Sequence, residues 1–315
     1  MKKIVTIGGG TGQYTLLKGL KNYDIDLTAI VNIVDSGGSS GRLRMDFGVL
    51  PPGDIRNCLI ALSDDAKMKE LADLFAYRFK SSSDNGLNHN LGNLILTALS
   101  SKYGDMGQAT KIAGDLLNIK GKVLPVSIDP SHLIAETESG KVIEGEESIT
   151  CLNKEEKIKK IWLKPEAFAY KDAANEIRNA DLIVICSGEI HGSIIPNFLV
   201  KGINEAIKES KGKLVYVCNL VTKQGSYGFK ASDFVNEIQR YLERKIDYVI
   251  CNIKKPAQKV VDKYKAEESF FVEPDLDGET ILKEDLLIEK ESDEKIIARH
   301  NPEKVAKLIL GILEK

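Results

Sequence analysis

Several things are missing from this sequence, and each absence closes off a class of function. Charge of one sign is not in excess: 44 Lys and Arg stand against 46 Asp and Glu, a formal net charge of −2. No broad cationic surface for nucleic acid is therefore expected. The 5 cysteines are an odd number, and they form neither a CxxC pair nor a Cys/His spacing suited to zinc. That excludes a disulfide framework and a zinc finger. No apolar run approaches the ~20 residues of a membrane span, and Met1-Lys2-Lys3 leads straight into a strand rather than a signal peptide. A cytoplasmic protein without a membrane span is the expectation. HExxH, an ordered Ser/His/Asp set and a close carboxylate pair are also absent, so nothing marks a hydrolytic centre.

What is present is an ordinary globular balance, 43% hydrophobic and 29% charged over 315 residues, enough for a sizeable α/β core. Ile4 to Ile7 reads as a short buried strand, Tyr14 to Leu20 as an apolar-periodic helix, and Leu27 to Val34 as a second strand. Strand, glycine turn, helix, strand is a βαβ unit, so these two strands should be parallel. Helical patterns follow at Asp54 to Leu62, Met68 to Phe79, Leu91 to Leu99 and Met106 to Leu117. The stretch from Gly121 to about Lys164 reads as a β-rich hairpin excursion, with a turn at Ser139-Gly140 and a charged, solvated run from Lys154 to Lys160. The apolar runs Leu182 to Cys186, Leu214 to Cys218 and Tyr248 to Cys251 restore α/β alternation, each ending on what should be a buried free thiol. Asn301 to Lys315 closes the chain as an amphipathic helix with Pro302 in its first turn. The expected fold is a single Rossmann-like three-layer α/β/α domain over residues 1–315, with a mostly parallel sheet.

Ligands of open parallel sheets bind beyond the carboxyl ends of the strands. After the first strand come Gly8, Gly9, Gly10, Thr11 and Gly12; after the second, Asp35 and then SGGSSG, with Ser39 and Ser40. Glycines lack Cβ, so successive N–H groups can converge on an anion at a helix start. The first loop is neither a Walker A loop nor a full GxGxxG, since Gln13 stands at the third glycine position. Asp35 suits a ribose hydroxyl or Mg²⁺, or it closes an Asx turn. Asp54 sits where an N-cap belongs, a role that leaves Arg56 and Asn57 unexplained. His89 and Asn93 flank another helix start, and Ser187-Gly188, Asn219 and Asn252 follow the later strands.

Together these residues resemble the YvcK gluconeogenesis-factor family of the CofD-like superfamily, which includes 2-phospho-L-lactate transferase. The resemblance rests on GGGTG at Gly8 to Gly12, DSGGSSGRLR at Asp35 to Arg44, GVLPPGDIRNCL at Gly48 to Leu59, HNLGNL at His89 to Leu94, VYVCNL at Val215 to Leu220, and Arg299-His300. It implies a shared phosphate site lined by Gly9, Gly10, Thr11, Asp35, Ser39, His89, Asn93 and Asn219. It further implies a nucleotide-sugar ligand such as UDP-N-acetylglucosamine, contacted by Tyr264 and Arg299. A Tyr264 ring could stack on uracil, and Arg299 could pair with a diphosphate.

The family's roles are in carbon metabolism, cell shape and wall synthesis, which implies a ligand-binding regulator with a protein partner there, and a homo-oligomer is compatible with it. The alternative is a phospho-transferase acting at a nucleotide diphosphate, with Mg²⁺ as cofactor and Asp35 or Asp54 as the catalytic carboxylate; an NAD-binding protein is the weaker alternative. The chain departs from the family pattern at Ser36, where an aspartate is usual, and at Asn88, Asn90 and Asn301. It departs again at Cys186-Ser187-Gly188-Glu189, where the family has a GPGS-like segment, and at His191, where it has tyrosine. Glu189 brings a negative charge close to the expected phosphate.

Overall fold

The computed structural model describes residues 1–64, 67–79, 88–153, 156–292 and 295–315. The chain opens as the sequence predicts: β1 (Lys2–Gly8), α1 (Gly10–Leu20) and β2 (Ile25–Val31), with β1 and β2 parallel. Gln13 explains the broken dinucleotide fingerprint. It is fully buried, and its Nε2 donates to the Ile30 carbonyl at 3.0 Å and the Thr6 hydroxyl at 3.1 Å. It thus staples α1 to both strands where a glycine would let helix and sheet touch.

The second glycine-rich segment differs from its reading as a loop. Helix α2 (Gly38–Phe47) already includes most of it, because Gly41 packs on the Ser36 carbonyl, which a Cβ would overlap. Helices α3 (Gly53–Leu62), α4 (Lys69–Ala76), α5 (Leu91–Tyr103) and α6 (Met106–Leu116) follow. Helix α4 stops short of the predicted Phe79 because Tyr77 to Phe79 pair with the chain around His89: the Leu91 amide donates to Tyr77 O and the Phe79 amide to His89 O.

Strand β3 (Lys122–Pro125) pairs in parallel with β2. The first strand of the predicted excursion therefore belongs to the main sheet, and the antiparallel excursion starts later. It consists of β4 (His132–Thr137), β5 (Val142–Glu144), the short helix α7 (Glu146–Thr150) and β6 (Ile158–Lys164), in the order β5-β4-β6. The reason is local: Val123 and Pro125 are buried against α6 and β2, and the chain turns away only after them. In the predicted solvated run, Lys154 lies outside the described residues, while Lys159 and Lys160 both pair with Glu136.

Helix α8 (Lys171–Arg178), β7 (Leu182–Ile185), α9 (Ile203–Glu209), β8 (Lys213–Val217), α10 (Ala231–Gln239), β9 (Tyr248–Asn252), α11 (Gln258–Ala266) and β10 (Ile281–Glu284) complete the alternation. The parallel sheet has the order β10-β9-β8-β7-β1-β2-β3. Its central strands are buried on both faces, as in Val5, Ile30, Ile183 and Val215. An antiparallel hairpin that the sequence reading lacks, β11 (Leu287–Ser292) with β12 (Lys295–His300), precedes the closing helix α12 (Pro302–Glu314). Asn301 caps α12 with bonds from the Glu303 and Lys304 amides, both 3.1 Å. Gly19 of α1 lies against the Pro302 carbonyl, which fixes α12, and with it the end of β12, over α1. Among the described residues no helix is long and apolar enough to cross a membrane.

Candidate nucleotide-binding site

The strand order reverses between β1 and β7, the point at which open parallel sheets form a crevice. A crevice is found there. Gly9, Gly10, Thr11, Gly12 and Thr15 line one wall, Ser187, Gly188, Glu189 and Ser193 the next, and Ala298 to His300 close it from β12. The loop after β8, through Asn219, Lys223 and Ser226, overhangs it. The enclosed volume is about 170 Å³, below the roughly 300–1,000 Å³ of small-molecule sites. It suits the polar middle of a nucleotide rather than the whole of one.

Close packing shapes these walls. Gly10 begins α1 with φ at 64°, a region other L-residues enter at a cost. A Cβ on Gly12 would overlap the Ser187 carbonyl oxygen, so the β1 and β7 loops touch backbone to backbone. Asn219 holds the Gly188 backbone from both sides: its Nδ2 donates to Gly188 O at 2.6 Å and its Oδ1 accepts from Gly188 N at 3.4 Å. It also accepts the Tyr216 hydroxyl at 3.0 Å. Asn219 lines the crevice, but its polar atoms are committed to shaping the loop.

The remaining predicted site residues split into two groups. Asp35, Ser39, Ser40, Asp54, Asn57, His89 and Asn93 do not line this crevice; they form a polar layer beside it, between α2, α3 and α5. Asn93 Nδ2 donates to Ser39 Oγ at 3.2 Å, and Ser39 Oγ lies 3.0 Å from His89 Nδ1. Burial, and then the charge of Arg42, lower the His89 pKa. Arg56 links Asn93 (2.8 Å) and Asn57 (2.7 Å).

Asp54 is not the helix cap that its position suggests. It stands inside the first turn of α3, after Pro52 as the cap residue, and makes no cap bond. Its carboxylate instead reaches the glycine loop, where a Cβ on Gly9 would come within 2.5 Å of Oδ2. Burial, and then the charge of Asp35, push its pKa up to about 6, against a hydrogen bond from the Gly10 backbone.

Glu146 is a participant that sequence reasoning missed. Carried in by α7 of the antiparallel excursion, it accepts from the Ser36 amide at 3.4 Å, while Ser36 Oγ accepts the Glu147 amide at 2.9 Å. Burial, then Asp35, raise the Glu146 pKa to about 7. Ser36, which departs from the family pattern, thus docks the excursion onto the second glycine segment. No local signal could have revealed Glu146, 110 residues away in sequence from Ser36.

Tyr264 does not face the crevice. Its side chain is packed with Leu220, Val260, Leu287 and Ala298, leaving the residue 9% exposed. The hydroxyl accepts the Ala298 amide at 2.9 Å, and the ring meets Phe271 at 5.4 Å. The predicted stacking platform is in this structure a buttress behind β12. Arg299 does line the crevice, half-buried, with Nη1 donating to the Ala298 carbonyl at 2.9 Å. Lys223, Ser193 and Thr15 are lining residues that the sequence did not single out. Lys223 follows the carboxyl end of β8, so the strand-end rule could have found it.

His300 lies between crevice and core, 7% exposed, with Nδ1 3.5 Å from Ser187 Oγ. Burial pushes its pKa down to about 4, against the backbone of Cys218, so the ring is neutral at physiological pH. Among the described residues no group of three or more His, Cys, Asp or Glu side chains converges as a metal set. Asp35 Oδ1 is already engaged, accepting the Gly37 amide at 3.0 Å in an Asx-type turn, the alternative weighed against a ribose or Mg²⁺ role. The donors present therefore do not make a dedicated Mg²⁺ cage.

Comparison with known proteins gives the family. The family profile described as 2-phospho-L-lactate transferase CofD matches residues 4–290. The chain belongs to the CofD family. Within the family it is a gluconeogenesis-factor homologue of the YvcK type: the gluconeogenesis factor of Bacillus subtilis is 37% identical over 99% of this chain and 98% of its own. A Thermotoga maritima relative is 44% identical over 98% of both chains. The crystal structure of a Bacillus halodurans member of the UPF0052 family is similar with a TM-score of 0.91 at 37% identity, covering 98% of this chain and 100% of that one. The CofD match ends at residue 290, before Arg299 and His300, whereas these relatives run over nearly the whole chain. The β12 wall of the crevice thus lies outside the CofD match and inside the gluconeogenesis-factor one.

Proposed function

We propose that this CofD-family protein binds a nucleoside diphosphate sugar of the UDP-N-acetylglucosamine kind and acts as a ligand-dependent regulator rather than through turnover. The observation that carries the reading is the placement of Arg299 over the Gly9–Gly12 cradle. Backbone N–H groups and the α1 N-terminus take the diphosphate from one side, and the guanidinium takes it from the other. Lys223, on the overhanging loop, adds a second cation. Occupancy would order that loop and β12, and a ligand shifts such an equilibrium by its differential affinity for the two states. The resemblance to the YvcK type supports a regulatory partner in carbon metabolism or wall synthesis.

The test is thermal unfolding with UDP-N-acetylglucosamine, UDP-glucose, NAD and GDP, with and without Mg²⁺. A ligand at 100 times its Kd adds about 2.7 kcal/mol. Stabilisation by UDP sugars that is lost in Arg299→Ala supports the reading; a response to NAD or GDP alone sinks it.

A second reading, a phospho-transferase on a nucleotide diphosphate, draws on Asp54 and Glu146. Both have pKa values raised towards neutrality beside the glycine segments, as groups that exchange protons in catalysis often do. Mg²⁺ would then arrive with the diphosphate. Release of a nucleoside monophosphate in a product assay, abolished by Asp54→Asn, would favour it.

A further inference from the structure

Asp54 reaches the wall of the crevice without opening into it. It is not a lining residue, but Gly9 is, and a Cβ on Gly9 would come within 2.5 Å of Asp54 Oδ2. The backbone of a glycine therefore stands between this carboxylate and whatever fills the crevice. Asp54 also takes a hydrogen bond from the backbone of Gly10, the first residue of α1. One anion thus already faces the α1 N-terminus, where a bound diphosphate would be the second.

The surroundings leave that carboxylate poorly compensated. Asp35, from the segment after β2, and Glu146, from α7, set negative charge beside it. Glu189, from the loop after β7, acts in turn on Glu146. The Cys58 thiol, further along α3, is kept protonated by burial and by Asp54. The first turn of α1, Gly10 to Gln13, has no ionisable side chain. Arg56 supplies positive charge, but its guanidinium is given to Asn93 and Asn57. Burial and then Asp35 already push the Asp54 pKa up to about 6. Further negative charge nearby moves a carboxyl in the same direction. A neutral Asp54 keeps a carbonyl oxygen for the Gly10 amide and no longer opposes an incoming anion.

We infer that a diphosphate enters the crevice together with a proton, which Asp54 takes up behind the backbone of Gly9 and Gly10. The inference rests on the nucleotide-sugar reading of the same crevice. It makes ligand affinity respond to pH. Below about pH 6 the carboxyl is already neutral and affinity is at its plateau. Above that, each ligand draws a proton from solution, so affinity falls as pH rises. Asp54 acts through the glycine backbone and touches no ligand atom, so it is a positioning residue.

The experiment is calorimetric titration of UDP-N-acetylglucosamine into the full chain in EDTA. Its diphosphate is esterified at both ends and does not itself titrate near neutrality. Each titration is run in two buffers of different ionisation enthalpy, across about pH 6 to 8. The wild-type protein should take up roughly half a proton per ligand near neutrality, so its Kd should rise about threefold per pH unit. Asp54→Asn keeps an acceptor for the Gly10 amide; it should lose most of the uptake and bind with a nearly flat pH profile. Glu146→Gln should keep most of the uptake. Heats that do not differ between the buffers would overturn the inference, as would uptake that survives Asp54→Asn or is abolished by Glu146→Gln. If Asp54→Asn fails to fold, the wild-type and Glu146→Gln titrations still decide. Binding that appears only when Mg²⁺ replaces EDTA would put a cation in place of the proton and overturn it too. If UDP-N-acetylglucosamine binds under neither condition, the nucleotide-sugar reading itself falls; if it binds without proton uptake, only this inference falls.

Discussion

The Tyr264 hydroxyl accepts the backbone N–H of Ala298 at 2.9 Å, one residue before Arg299. A helix side chain on α11 thereby sets the height of the strand that carries the crevice arginine. Tyr264→Phe keeps the ring but strands a buried amide, a cost of about 1–3 kcal/mol. Ligand affinity should therefore fall in Tyr264→Phe nearly as far as in Tyr264→Ala. A ring that stacked on the base would instead be rescued by phenylalanine. Titrating both variants with UDP-N-acetylglucosamine separates the two roles.

Gly12 meets the Ser187 carbonyl so closely that no Cβ fits. Both partners are backbone, so neither can swing aside. Gly12→Ala should cost at least the roughly 1–3 kcal/mol of core overpacking and should open the crevice. The check is the shift in the urea midpoint, compared with Gly311→Ala, where a Cβ meets nothing within 4 Å.

Stability should fall as pH rises from about 4 to 7. Asp54, at about 6, and Glu146, at about 7, both lie above their ordinary values of 3.8 and 4.5. The folded state therefore holds protons that the unfolded chain has released, and the slope of unfolding free energy with pH is negative across that window. Asp54→Asn and Glu146→Gln should each flatten it. His300 works in the opposite sense: its folded pKa of about 4 lies below the ordinary 6.5, so it withdraws stability as pH falls through that interval, and His300→Gln should relieve the acid limb. Denaturant titrations at several pH values resolve all three.

Arg299 and Lys223 should differ in kind. The half-buried Arg299 can offer a bidentate fork, which lysine cannot copy, so Arg299→Lys should bind UDP-N-acetylglucosamine almost as weakly as Arg299→Ala. Lys223 is exposed on its loop and acts as a screened point charge. The loss in Lys223→Ala should shrink as salt is raised, whereas the Arg299 loss should persist. Titrations at low and high ionic strength check both.

Much of the architecture was legible because periodicity and glycine placement are local. The β1–α1–β2 unit, the strands at Leu182, Leu214 and Tyr248, and the closing helix with its proline all stand where their patterns put them. The hairpin of β11 and β12 was not legible: in LIEKES and KIIARH charged residues interrupt the apolar ones, so neither strand has the apolar run that marks the buried sheet. For Asp54 the sequence left a helix cap and a site carboxylate both open, because a carboxylate at a helix start satisfies the local rule; only the nearness of Gly9 shows where it goes.

By itself the sequence determined that glycine-dense segments follow the first two strands and that they would sit at one end of a parallel sheet. That follows from backbone sterics, which a few residues decide. Which side chains surround the Gly9–Gly12 segment was left to tertiary structure, because those choices depend on packing between distant segments. β12 brings Arg299 over the cradle because Gly19 lets α12 lie close on α1. The antiparallel excursion delivers Glu146 to Ser36, and burial turns Tyr264 from a surface for the ligand into a support for the strand beside it.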